Sequence, residues 1–176
     1  MGVRCLVLLE SDYDTIFQLL RRLNHTTHIQ TVNMSFRRYL DKTKQTHPIL
    51  TMTYENGSIG VSSNNNILSG DSELLNVLHR GRLRFGFEGR QEQPLQGHSF
   101  RINDFKVTLL QYGNKLAAEV EYIPLQVYLD SVAFILEEFI HNLFSSIKYD
   151  GIFVPKGMES DGDLLARSFL YFKLLK

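Results

Sequence analysis

The sequence predicts an α+β fold: a curved, antiparallel, barrel-like β-sheet flanked by helices, with two long C-terminal helices. Three observations carry this expectation. A strand–helix unit opens the chain. At least six runs of period-two hydrophobicity then follow, joined by short turns, which makes a meander and not a parallel sheet. The last third of the chain changes to apolar spacings of three and four, the period of helices. With 176 residues, one domain over 1–176 is expected, long enough to bury roughly 70% of its unfolded surface without disulfides or metals.

The first element is the run Val3 to Leu9, whose nearly unbroken apolar character predicts a strand covered on both faces. Ser11 with Asp14 three residues later is a capping signal, and Ile16, Leu19, Leu20 and Leu23 at helical spacing predict an amphipathic helix over 12–23. Val32, Met34 and Phe36 then alternate with Asn33, Ser35 and Arg37, the signature of a strand with two unlike faces. Ile49–Tyr54 and Ile59–Val61 flank Asn56-Gly57, the strongest short hairpin signal in the chain. Residues 62–66 are a polar loop by composition, and Asp71–Leu78 is one short helix. Residues 82–90 alternate again, with Leu83, Phe85 and Phe87 opposite Arg82, Arg84, Glu88 and Arg90. His98–Ile102, Phe105–Gln111 and Lys115–Tyr122 are three more strands, turning at Asn103-Asp104 and at Gly113-Asn114. Pro124 suits a first helical turn, and Leu125, Leu129, Val132, Leu136, Phe139, Ile140 and Leu143 form a wide apolar stripe behind it. A link containing Gly151, Pro155 and Gly157 leads to a last helix carrying Leu164, Leu165, Phe169, Phe172 and Leu175.

Composition excludes several classes. The 19 Lys and Arg balance the 19 Asp and Glu, so no overall charge drives binding to nucleic acid. The balance is a cancellation: residues 1–115 hold 14 basic and 10 acidic side chains, and residues 116–176 hold 5 and 9. A single cysteine builds neither a disulfide framework nor a thiolate zinc site. The longest early apolar run, residues 5–9, is too short for a signal peptide or a membrane span.

The candidate chemistry is sparse. Glu119 and Glu121 sit two apart in a strand, so both carboxylates leave one face. Glu-x-Glu strands line the barrels of metal-dependent tripolyphosphate hydrolases, which need a facing acidic strand and several cations to hold phosphates. No other Glu-x-Glu occurs here, so the plain expectation is a solvated strand face, with a hydrolase of tripolyphosphate or RNA 5′-triphosphate as the alternative. Arg82, Arg84 and Arg90 on one strand face are the best phosphate-binding candidates, yet Phe85 and Phe87 point the other way and supply no stacking platform. His25 and His28 lack a third ligand, and Cys5 lies in an apolar strand. No phosphate loop or nucleophile elbow occurs. No catalytic, cofactor-binding or metal site is expected, and the chain is expected not to be an enzyme.

Met1-Gly2-Val3 with Cys5, the block Phe100-Arg101-Ile102-Asn103-Asp104-Phe105, and above all Ala118-Glu119-Val120-Glu121-Tyr122-Ile123-Pro124 followed by Phe134-Ile135-Leu136-Glu137-Glu138-Phe139 resemble the Mediator subunit 20 family. The resemblance is best over residues 98–140. It implies a curved antiparallel barrel and a nuclear, structural subunit of the Mediator head module that acts as a coactivator component. Its implied partners are Mediator subunit 18, a C-terminal helix of subunit 8 that tethers the pair, and the RNA polymerase II machinery. It implies no membrane, no sequence-specific nucleic acid and no cofactor, and it makes the Glu-x-Glu strand a structural feature.

Overall fold

A computed structural model of the chain describes residues 3–26, 28–41, 49–63, 66–85, 87–89, 92–125, 130–153, 168 and 170–172. Ten strands form one antiparallel sheet in the order β10-β1-β9-β8-β7-β2-β3-β4-β5, with β6 added beside β2. The strands are β1 Val3–Leu9, β2 Gln30–Asp41, β3 Ile49–Thr53, β4 Ile59–Ser63, β5 Asn66–Gly70, β6 Phe87–Gly89, β7 Gln93–Ile102, β8 Phe105–Tyr112, β9 Lys115–Tyr122 and β10 Tyr149–Phe153. The helices are α1 Tyr13–Leu23, α2 Ser72–Phe85 and α3 Asp130–Leu143. Among the described residues the sheet is open, ending at β10 and β5, so the expected barrel is not closed.

The alternation of side chains across the strands divides the core in two. On one face Val3, Cys5, Val7, Leu9, Phe100, Val107, Leu109, Ala118 and Val120 meet α1 through Ile16 and Leu20, and α3 through Val132, Leu136 and Ile140. On the other face Leu6, Val32, Met34, Phe36, Met52, Leu95 and Leu110 pack with Leu170, Tyr171 and Phe172. β1 is buried on both faces, as its continuous apolar run requires. The hairpins at Asn103-Asp104, where Asn103 has φ 52°, and at Gly113, with φ 58°, stand where the turn residues place them.

Several expectations need correction. The cap of α1 is Asp12, whose side chain accepts from the Thr15 amide at 2.8 Å, so Ser11 is not the cap. The helix expected at 71–78 runs on to Phe85, which takes Arg82 and Arg84 out of a strand and onto a helix. Four alternating residues are too short a run to fix the period, and β6 is only three residues long. The polar loop 62–66 gives way to the edge strand β5 from Asn66. The link around Gly151 is in part β10, which pairs with β1. Val7 faces Ile152 while Leu8 faces Asp150, so Gly151 is the extra residue of a bulge, with φ 61°.

Two long C-terminal helices are not shown among the described residues. α3 begins at Asp130, whereas Ile123-Pro124 forms a turn and residues 126–129 lie outside the described residues. Of the last helix only Ser168 and residues 170–172 are described, and they are helical. Leu164, Leu165, Phe169, Leu175 and the link residues Pro155 and Gly157 lie outside the described residues.

Candidate functional site

β9 sends Leu116, Ala118 and Val120 to the helix-covered face, and the pleat therefore turns Ala117, Glu119 and Glu121 to the other. That face is not solvated. Glu119 is 1% exposed and Glu121 6% exposed, which overturns the expectation of a solvated strand.

Buried carboxylates need partners, because an uncompensated charge away from water is costly. β1 supplies one. Arg4 stands directly across from Glu121 in the ladder, and its guanidinium spans both acids, with Nη1 2.8 Å from Glu119 Oε1 and Nη2 3.2 Å from Glu121 Oε2. Two donors fixed in one plane suit two carboxylates spaced by one strand repeat. The C-terminal segment supplies a second partner: the fully buried Tyr171 hydroxyl donates to Glu119 Oε2.

The ladder extends the site sideways. Glu121 is opposite Lys106 on β8, and Lys106 is opposite Arg101 on β7. Arg4, Glu121, Lys106 and Arg101 therefore form one row across four strands. The neighbouring row reads Leu6, Glu119, Thr108 and Ser99, and the Ser99 and Thr108 hydroxyls bond at 3.0 Å. Three cations beside two carboxylates form an arrangement able to meet a polyanion. Lys106 and Arg101 are half-buried, and Arg101 Nε donates to the Asn103 carbonyl at 2.7 Å.

The protein-held donors fall short of a metal centre. Among the described residues no group of three or more His, Cys, Asp or Glu side chains is placed to hold a metal ion, and the two acids that are close share an arginine. His25 and His28 are both exposed on the link after α1. Burial pushes the Cys5 thiol far above its ordinary range, with Glu119 adding to the effect, so the thiolate nucleophile is suppressed.

Of the residues singled out by sequence, Glu119 and Glu121 are brought together. Arg82 and Arg84 lie on α2, and Arg90 lies outside the described residues. The sequence reading missed Arg4, Lys106, Arg101 and Tyr171 as members of one site. Arg4 breaks the apolar run of β1 in phase with the glutamates of β9, and that phase is the signal that could have found it. No described helix is long and apolar enough to cross a membrane.

No protein-family model matches the chain, and no curated protein matches it. Solved structures do. The PH1819 protein of Pyrococcus horikoshii OT3 is 9% identical with a TM-score of 0.52, over 84% of this chain and 93% of that one. HpAC1 of Hippeastrum, a protein with a dominant triphosphatase activity, is 13% identical with a TM-score of 0.49, over 85% and 90%. The Mediator head module of Schizosaccharomyces pombe is 11% identical with a TM-score of 0.47, over 84% and 96%. At such identities the likeness is one of fold. The expectation that this chain is not an enzyme is withdrawn: HpAC1 is among the structures it is similar to, and a shared fold leaves activity open.

Proposed function

We propose that the chain, as one domain over 1–176, is a nuclear subunit of a transcription assembly of the Mediator head type, paired with a subunit-18-like partner and reaching RNA polymerase II through it. The observation that carries this reading is the filling of the sheet's second face by the chain's own Leu170, Tyr171 and Phe172, which leaves the outer surfaces for partners. The resemblance over residues 98–140 and the head-module neighbour support the same class. Phe134 is 67% exposed on α3 and lies among the exposed Glu137, Glu138 and His141. An aromatic ringed by polar groups is the composition of an interface anchor. Affinity purification of the tagged native protein tests the reading: subunit 18 should be recovered, and Phe134→Asp should reduce its recovery at least tenfold. A purification that recovers no head subunit rejects it.

A second reading is favoured by the Arg4–Glu121–Lys106–Arg101 row: binding and hydrolysis of a tripolyphosphate or an RNA 5′-triphosphate on the face that carries Glu119 and Glu121. The cations would hold phosphate oxygens, and the glutamates would need a bound divalent cation to be useful there. Purified protein with Mg²⁺ or Mn²⁺ and tripolyphosphate should then release phosphate, and Glu121→Gln should stop the release. No release in the wild-type protein removes this reading.

A further inference from the structure

The β3–β4 hairpin turns through Glu55, Asn56 and Gly57, all exposed, before the half-buried Ser58. The Tyr54 amide donates to the Ser58 carbonyl at 2.9 Å, and the Gly57 amide donates to the Tyr54 carbonyl at 2.9 Å. Gly57 has φ 77°, so this is the hairpin loop that closes on a left-handed glycine. Glu55 Oε1 accepts from the Asn33 amide on β2 at 2.6 Å and ties the turn to the neighbouring strand.

The Asn56 side chain folds forward over the next peptide. Its Oδ1 accepts from the Ser58 amide at 3.1 Å and from the Ser58 hydroxyl. The amide bond is an Asx turn, which gathers Asn56 Cγ and the Gly57 nitrogen into one small ring. Both donors already stand where negative charge would develop if a nucleophile added to Cγ. Asn56-Gly57 is the one Asn-Gly pair in the chain, and Gly57 has no side chain to obstruct the approach of its own nitrogen to Cγ.

We propose that Asn56 is a self-modifying site, at which the Gly57 nitrogen closes on Asn56 Cγ to give a succinimide while Ser58 holds the oxyanion. The Gly57 amide leaves its bond to Tyr54 and gives its proton to hydroxide. The nitrogen then adds to Cγ, and the carbonyl electron pair moves to Oδ1, between the two Ser58 donors. As that pair returns, the Cγ–Nδ2 bond breaks, and Nδ2 takes a proton from water and departs as ammonia. Water opens the ring at either carbonyl, leaving aspartate or isoaspartate. The net change is hydrolysis of one amide, with water as the only co-reactant consumed. The product places a new negative charge beside Glu55, and the isoaspartyl form lengthens the main chain of the turn by a methylene. The site stands apart from both functional readings.

Peptide mapping by mass spectrometry of the intact chain, incubated in mildly alkaline buffer below its melting temperature, tests the site. Asn56 should convert to aspartate and isoaspartate, while Asn24, Asn33 and Asn103, none followed by glycine, stay unchanged. Ser58→Ala removes one donor to the developing charge and should slow conversion about tenfold. Ser58→Thr keeps the hydroxyl and should convert like the wild type. In denaturant the Asx turn is lost, so the wild type and Ser58→Ala should convert at one rate. The proposal is overturned if Asn56 stays unmodified in the folded chain. It is also overturned if Ser58→Ala matches the wild type in native buffer, or differs from it by the same factor in denaturant.

Discussion

Arg4 ties β1 to both buried glutamates of β9. Its guanidinium is held between two buried carboxylates, so Arg4→Met takes the cation away from both and should destabilise by about 3–5 kcal/mol, read from the urea midpoint. Replacing Arg4, Glu119 and Glu121 together by Met, Gln and Gln removes the charges as a set and should recover most of that loss, because breaking an ion pair costs more than deleting it. A triple variant no more stable than Arg4→Met contradicts the assignment of the network. Asp12 is a gentler case. The Thr15 hydroxyl and amide hold its carboxyl below the ordinary range, so its contribution to the cap is complete above that range and is lost as pH falls through the depressed value. Asp12→Asn should remove this acid-side dependence from the thermal melting profile and leave the neutral region nearly unchanged.

At the scale of elements, α3 and the β7–β8 pair carry separate expectations. Leu136 is fully buried on the face shared with the sheet, and Leu136→Ala should cost about 2–5 kcal/mol. Gly97 on β7 has no room for a side chain, since a Cβ would lie 2.1 Å from the Leu109 carbonyl oxygen. Gly97→Ala should cost about 1–3 kcal/mol, at the upper end because the obstacle is backbone; a variant as stable as the wild type in denaturant contradicts that close approach. Elements with a strong period were legible in advance: β1 by its apolar run, β2 by Val32, Met34 and Phe36, and the hairpins by Asn56-Gly57 and Gly113-Asn114. Elements without one were not. β10 is five residues interrupted by Gly151, and it is a strand because β1 presents an edge to it, a tertiary cause invisible in a local window. Residues 82–85 alternate like a strand but continue α2. The site was legible in the same proportion. Two glutamates two apart in a strand had to share a face, but which face depended on Arg4, 115 positions from Glu119, and on Tyr171, 52 positions from it.

For the whole molecule, the formal neutrality resolves into a basic stretch, residues 1–115, and an acidic one, residues 116–176. Folding does not keep them apart. Arg4 of the first meets Glu119 and Glu121 of the second inside the sheet, and Lys148 meets Glu10 at 2.6 Å on the surface. Part of the asymmetry is therefore spent within the fold, and what remains outside is available for orienting a partner. The exposed Glu137 and Glu138 beside Phe134 predict an association whose rate falls with added salt, since surface charges are screened within about 8 Å at physiological ionic strength. A rate independent of salt between 0.05 and 0.5 M (about one decade) would place the contact elsewhere.

On the proposed reading this sheet serves as a platform for protein assembly, its second face filled by Leu170, Tyr171 and Phe172. Quantitative affinity purification of the native protein, followed by assay of the same eluate and of the purified chain for tripolyphosphate hydrolysis with Mg²⁺, tests it most directly. Subunit 18 should be recovered stoichiometrically, and its recovery should be lost on Phe134→Asp in a protein that melts like the wild type. Absence of every head subunit, together with phosphate release that Glu121→Gln abolishes, would contradict it and transfer the assignment to the hydrolase.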